Sequence, residues 1–420
     1  MRKIVRCSIG VGLALLLPIP LFAQEQCENR WRPLEASSGQ FADIPALEQL
    51  AREFSESGSV RLRLLTALLD AERNAEAVAV AQSLAADGYS FGAGAAAMLA
   101  GYGATPEWRT ANSANGEPIA ASVSVAQVPE TALLVESAWH HPETFELFAT
   151  SVVSQGLFVR RNEEGWQQIA LANSGSLTGM AFDRASGTLW IAAGVTQVTP
   201  DPANAFRGLI AIDPLSRREL RRVTGGADGS PSDLVVGAEG VVYASDPVSG
   251  AIYRTSHGNE MLETVLPPGT LRSPQGIVEL ADGRLIVSDY RYGLALVDQQ
   301  SGCIVQVTTD LPLLLDGIDG LWLHDQMLIA VQNGTRPMRI MAFTLSLDAT
   351  TIIGARVLEQ SHPDWTEPLG GSLEGGGLLY VANGQWERFE PGGALVEEAS
   401  PEPTQIRWIS LAGNVATQTP

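Results

Sequence analysis

"TGMAFDRASGTLWIAAG", residues 178–194, decides the fold. It starts on a polar residue, runs through a short apolar strand, turns at "DRASG", and returns through a second apolar strand to a small residue. The frame recurs as "ESAWHHPETFELFATS" (136–151), "SDLVVGAEGVVYASD" (232–246), "QGIVELADGRLIVSD" (275–289), "DGLWLHDQMLIAVQN" (319–333) and "GGSLEGGGLLYVAN" (370–383). Further β-type runs lie between these, among them "GLFVRR", "GLIAID", "AIYRT", "GLALVD" and "RIMAFTL". Four-stranded units with starts roughly 40 to 55 residues apart are the signature of propeller blades. The pattern predicts a mainly β fold, a six-bladed β-propeller over 119–413. The segment "IAASVSVA" (119–126) is predicted to complete the last blade beside "QIRWISL" (405–411), which would remove an exposed edge.

Outside that region the periodicity changes. Residues 40–104 carry apolar positions at three- and four-residue spacing, as in "IPALEQLAREFSES" and "VRLRLLTALLDAERN". They predict a small α-helical hairpin domain with one tetratricopeptide-like pair, either a cap packed on the propeller or a surface that docks a peptide. Residues 105–118 are rich in turn formers and predict a linker. Residues 24–39 read as an N-terminal extension and 414–420 as a tail. The first 23 residues have Arg2, Lys3 and Arg6 ahead of an apolar run ending at Ala23, which predicts a cleaved secretory signal peptide. The protein is therefore expected in the periplasm or secreted, with no transmembrane segment.

The formal charge of the chain is −20. Residues 1–23 hold three basic and no acidic side chains, so it becomes −23 without them. Nucleic acid is a poor partner for such a surface, since phosphate binding needs clustered Lys and Arg. Lys3 is the only lysine, so Schiff-base chemistry and a P-loop are excluded beyond the signal. No G-x-S-x-G elbow is present, and a serine triad is unsupported. Cys27 and Cys303 would either pair in an oxidising compartment or remain two thiols.

Propeller geometry places the first residue of each blade's first strand, and the last residue of its second, at one mouth of the central axis. The starts are Glu136, Thr178, Ser232 with Asp233, Gln275, Asp319 and Gly370. The returns are Ser151, Gly194, Asp246, Asp289, Asn333 and Asn383. Nearly all offer oxygen and none is cationic. Close carboxylates need protonation, separation or a cation, and an oxygen-only set suits Ca²⁺ better than Zn²⁺. Aspartate and asparagine at the returns also suit loop capping. Tyr290, Trp322 and Trp386 either wall the pocket or pack between blades.

"GIDGLW" (317–322), "LIAVQNG" (328–334), "SHPDWTEP" (361–368) and "YVANGQW" (380–386) resemble the six-bladed calcium-dependent propellers of the senescence-marker protein, gluconolactonase and luciferin-regenerating family. The resemblance covers the propeller part of the chain. It implies hydrolysis of lactones or related esters, with one Ca²⁺ held by a first-blade Glu, two Asn and a late Asp. By position Glu136 matches the Glu and Asp319 the Asp. Ser232, or its neighbour Asp233, and Gln275 stand where the family has its Asn pair.

These readings nominate Glu136, Ser232, Gln275 and Asp319 as metal ligands. Asp319 is nominated as base or nucleophile and His362 as proton shuttle. Asp289, Asn333, Asn383 and Trp386 are expected to contact a small-molecule substrate. The rival expectation is a non-catalytic binding or scaffold propeller whose helical segment docks a peptide or protein.

Overall fold

The computed structural model describes residues 43–161, 165–226, 229–256 and 258–412. The expected signal peptide, the extension to residue 39, the tail 414–420 and Cys27 lie outside them. Cys303 is disulfide-bonded.

Among the described residues five helices come first: α1 (Ile44–Glu53), α2 (Gly58–Asp70), α3 (Asn74–Ala86), α4 (Ala93–Gly101) and α5 (Pro106–Asn115). The linker expected at 105–118 is thus largely helical. Thr105 caps α5 by accepting a hydrogen bond from the Trp108 amide, Pro106 occupies the first turn, and Trp108 is buried among the other helices. Threonine, proline and an early glutamate are a helix start, and in "ATPEW" they outweigh the turn formers further on.

The helices are seated on the β region by a buried carboxylate. Asp316 is 0% exposed. Its two oxygens accept from the amides of Gly58 (2.8 Å) and Ser59 (2.7 Å), the first residues of α2. Those amides have no partner inside the helix, and a carboxylate there also meets the positive end of the helix dipole. Ser57 caps the same helix by accepting from Val60 N, and donates its hydroxyl to Arg291 O across the seam. Leu314 packs into the helical core, and Tyr292 packs with Leu50, Phe54 and Val60.

The remainder is β. The strand β1 (Val123–Val128) precedes the first sheet, β2 (Val135–His140), β3 (Leu147–Ser151), β4 (Leu157–Arg160) and β5 (Trp166–Ile169). Next come β6 (Ser176–Asp183), β7 (Thr188–Gly194), β8 (Gly208–Asp213) and β9 (Arg218–Thr224). The third group is β10 (Asp233–Val236), β11 (Val242–Asp246), β12 (Ala251–Thr255) and β13 (Glu263–Leu266). The fourth is β14 (Pro274–Glu279), β15 (Leu285–Asp289), β16 (Gly293–Asp298) and β17 (Cys303–Thr309). The fifth is β18 (Ile318–His324), β19 (Met327–Gln332), β20 (Arg339–Leu345) and β21 (Thr351–Gln360). The last is β22 (Gly371–Glu374), β23 (Gly377–Val381) and β24 (Thr404–Ser410). Within each group the strands pair antiparallel in chain order. The fourth and fifth groups also share a short parallel pairing at Thr308–Thr351 and Thr309–Ile352, so they count as one eight-stranded sheet. β1 pairs antiparallel with β24, as the sequence pattern suggests, and supplies the last group's fourth strand.

The first strands form a closed circuit of neighbours: β2 with β6, β6 with β10, β10 with β14, β14 with β18, β18 with β22, and β22 back to β2. The apolar cores lie between consecutive groups. Trp139 and Phe148 meet Leu177 and Ile191, Tyr243 meets Ile277 and Val287, and Leu379 and Ile406 meet Val135 and Phe158. Every sheet therefore buries both faces. This explains why second strands such as β7 and β15 are largely apolar and are buried end to end. Among the described residues no helix is long and apolar enough to cross a membrane.

Asp316→Ala leaves two buried helix-terminal amides without acceptors, at a cost of about 1–3 kcal/mol. The expected result is a lower urea midpoint and faster proteolysis within 43–115, with the β signal in circular dichroism retained. Unchanged protease resistance of the helices would show that their seat does not depend on Asp316.

Candidate functional site

Four of the six first strands slip register against their neighbour at one point. The slips fall between Val135 and Ser137, Leu177 and Met180, Pro274 and Ile277, and Ile318 and Gly320. The skipped residues are Glu136, Thr178–Gly179, Gln275–Gly276 and Asp319. A bulged residue is released from the ladder and its side chain re-aimed. Four of the released residues are aimed into one shared space. Glu136, Gly179, Ser232, Asp233, Gln275 and Asp319 line one cavity of about 20 Å³, room for a single water-sized guest.

Bulging also frees backbone carbonyls, and hydroxyls from adjacent sheets satisfy several of them. Thr150 Oγ1 donates to Thr178 O, Thr178 Oγ1 to Ser232 O, and Ser245 Oγ to Gln275 O. At Gly276 a Cβ would sit 2.5 Å from the Leu321 amide nitrogen, so only glycine lets β14 approach β18 this closely.

The cavity is electrostatically unbalanced. Its lining contains three carboxylates and no Arg or Lys. Glu136 and Asp319 keep part of their surface open to the cavity but lie deep along the axis. Burial pushes Glu136 well above its ordinary value, and the charges of Asp319 and Glu367 push it further. Burial raises Asp319 to about 6 against the opposing hydrogen bond from Asn333. Asp233 rises to about 7 through burial, with its own neighbour's amide opposing and Asp319 adding. Glu367 rises to about 7 through burial and the charge of Asp319. Trp386 Nε1 donates to Glu136 Oε2 (3.0 Å), and Asn333 Nδ2 donates to Asp319 Oδ2 (3.0 Å). Tyr290 donates its hydroxyl to Asn333 Oδ1 (2.9 Å).

All four residues nominated as metal ligands thus meet in one place. Among the residues nominated for substrate contact, Asn333 and Trp386 reach the acids directly. Asp289 and Asn383 do not. Asp289 is fully buried and accepts from the amides of Arg272 and Arg291, which folds the loop around it. Asp246 clamps its own loop in the same way, through Ser230, Val248 and Ser249. Asn383 donates to Pro403 O and accepts from Gln405 N. His362 does not line the cavity either. Its Nδ1 accepts from the Asp364 amide, and its Nε2 lies 3.8 Å from Glu359. Glu359 in turn holds the amides of Ala121 and Ser122 and the Tyr380 hydroxyl, so His362 belongs to the junction where the circuit closes. Trp322 lines a different cavity, at the far end of the axis. Glu367 is the member of the acid cluster that sequence reasoning missed. It sits in "SHPDWTEP", outside the strand frame that nominated the others, and its acidic side chain was the available signal.

The donor chemistry fits a hard cation: carboxylate, hydroxyl and amide oxygens around an ion-sized space, with excess negative charge. Among the described residues no group of three or more His, Cys, Asp and Glu converges on one point. A cation here would be held by two carboxylates, Glu136 and Asp319, completed by the neutral oxygens of Ser232 and Gln275 and by water.

No family model matches the chain, and no curated protein matches it. Similar solved structures include a protein provisionally described as a gluconolactonase (14% identity, 69% of this chain and 93% of that chain covered, TM-score 0.44). Virginiamycin B lyase from Staphylococcus aureus is similar over 68% of this chain and 98% of its own (11% identity, TM-score 0.43). A streptogramin B lyase is similar over 65% and 78% (12% identity, TM-score 0.43).

An acid whose folded-state pKa is raised holds its proton more tightly folded than unfolded. Its contribution to stability is full below the ordinary pKa and is lost as pH rises through the folded value. For Asp319, Asp233 and Glu367 that window runs from about 4 to about 7, at up to ~1.4 kcal/mol per pH unit for each titrating group. In chelator, the wild-type melting temperature is expected to fall across this window relative to Asp319→Asn. Parallel melting curves for the two proteins would rule out a buried, titrating Asp319.

Proposed function

We propose that the six strand groups are the blades of a six-bladed β-propeller and that the protein is a calcium-dependent hydrolase of lactones or related esters. We place it in the periplasm or the medium after removal of residues 1–23. The observation that carries this reading is the bulge-aimed pair Glu136 and Asp319, drawn from the first and fifth groups into one desolvated cavity. Carboxyl groups tuned towards neutral pH in such a cavity are suited to proton transfer.

Calcium bound between Glu136 and Asp319 would supply a Lewis acid for the substrate carbonyl. The chain's own residues do the rest. Asp319 takes a proton from water as the water oxygen bonds to the carbonyl carbon. Asn333 fixes the Asp319 carboxylate through Oδ2. Glu367, whose carboxyl is raised by burial, gives a proton to the leaving alkoxide when the acyl C–O bond breaks. Trp386 holds Glu136 in its rotamer. The substrate itself sits outside the 20 Å³ cavity, against Trp386 and Tyr290. His362 has no part in this scheme.

The second reading is a binding or scaffold propeller without chemistry, its helical segment docking a peptide. Ser232 and Gln275 favour it, since they replace the amide ligands of the calcium-dependent family with weaker or longer donors.

Calcium at a hundredfold excess over its dissociation constant should stabilise the native chain by about 2.7 kcal/mol, and EDTA should remove that gain. In a panel of γ- and δ-lactones and aryl esters, Asp319→Asn is expected to lose activity by about 10² or more. Glu136→Gln should abolish the calcium-dependent rise in melting temperature. A chain that neither binds calcium nor turns over any member of the panel would be assigned to the second reading.

A further inference from the structure

Three connections of the β region hold the helices with one end and reach the acid cavity with the other. The first, 290–292, joins β15 to β16. There the Tyr292 ring lies against Phe54, with centroids 4.6 Å apart, and Arg291 O accepts from the Ser57 hydroxyl (2.7 Å). The second, 310–317, joins β17 to β18. Its Asp316 holds the start of α2, and its Leu315 amide donates to Glu56 O (2.9 Å). The third, 333–338, joins β19 to β20, and Arg336 O accepts from the Ser90 amide (2.7 Å). The same three connections carry Tyr290, run into Asp319 and begin at Asn333, and these three side chains bond in series.

Backbone bonds lock the connections to one another. Gly317 N donates to Tyr290 O (2.9 Å), and Gly334 N donates to Gly317 O (3.0 Å). Gln332 Nε2 donates to Leu314 O and Asp316 O, which ties the second to the third again. A Cβ at Gly334 would lie 2.7 Å from Tyr290 Cζ, so glycine lets the tyrosine ring rest on that loop. The Asn333 side chain is fully engaged. Its Oδ1 accepts from Tyr290, and its Nδ2 donates to Asp319 Oδ2 and to Pro368 O, each at 3.0 Å.

We propose that the helical segment positions the acid cavity through Tyr290. With the helices seated, Tyr290 holds the Asn333 amide and, through it, Asp319. When the helices lift, the three connections lose their shared support and that hold relaxes. The proposal rests on the acid cavity being the functional site, and it makes helix seating the control on that site. Tyr290 is a positioning residue in this arrangement, acting through Asn333. Such coupling is reciprocal, so a cation held by Asp319 steadies the helices in turn.

The test is native-state hydrogen exchange of the full chain in low urea, with asparagine side chains labelled with nitrogen-15. In the wild-type protein the Gly317 and Gly334 amides and the Asn333 side-chain amide should open together with the amides of α2, at one urea dependence, while Ile191 of β7 opens separately. Ser57→Ala, on the helical side of the seam, should speed exchange at all three positions by about tenfold. Tyr290→Phe keeps the ring and should speed exchange at Asn333 alone. It should also weaken calcium binding by about tenfold, the usual scale for a partner that orients a metal ligand. Opening of the three positions independently of α2, or an Asn333 amide unmoved by Tyr290→Phe, overturns the proposal. A wild-type chain that binds no calcium removes the calcium reading of the cavity, and the exchange comparison still decides the positioning. The wild-type measurement decides it even if the variants fail to fold.

Discussion

Burial of both faces of every sheet is the constraint on which this molecule depends. A four-stranded sheet with two apolar faces cannot stand in water, and here each finds its cover only in the next. The clusters between groups are consequently not independent cores. Each is complete only when its neighbours are, and the circuit of first strands is what lets the last sheet shelter the first. The closing pair of β1 and β24 and the buried Glu359 network beside it hold that circuit shut.

The same circuit assembles the acid cluster. Glu136 and Asp319 are far apart in the chain, and neither has a cationic neighbour to make its burial cheap. Their burial costs free energy that the rest of the fold must offset. Trp386 and Asn333, each donating one hydrogen bond, offset part of that cost and fix the side chains. The result is a strained electrostatic site on a rigid support, with the acids unable to move apart when they ionise.

Much of the fold could be read in the chain because burial on both faces writes itself as short apolar runs at a regular period. The helices were legible for the opposite reason, since one-sided burial leaves a three- to four-residue rhythm. The α5 helix was hidden by the turn-forming composition after its capping residues. The site was legible only in part. Asp319 and Asp289 occupy comparable mouth positions in their repeats, yet one faces the axis and the other clamps a loop. Nothing in the residue type separates them, because the difference lies in which backbone amides come within reach. Asn333 and Asn383 divide in the same way. Bulges are equally silent in sequence: they are set by pairing across strands, and a one-residue slip reverses where a side chain points.

Closure has a consequence for how the polypeptide comes to be made. Ser122, just ahead of β1, is bound by Arg407 from 285 positions further along. Until the ribosome has delivered that distant stretch, β1 has nothing to join. The β1 edge therefore stays unpaired for most of synthesis, and pairing it requires one very long loop closure. Any factor that shields that edge during synthesis would favour correct closure.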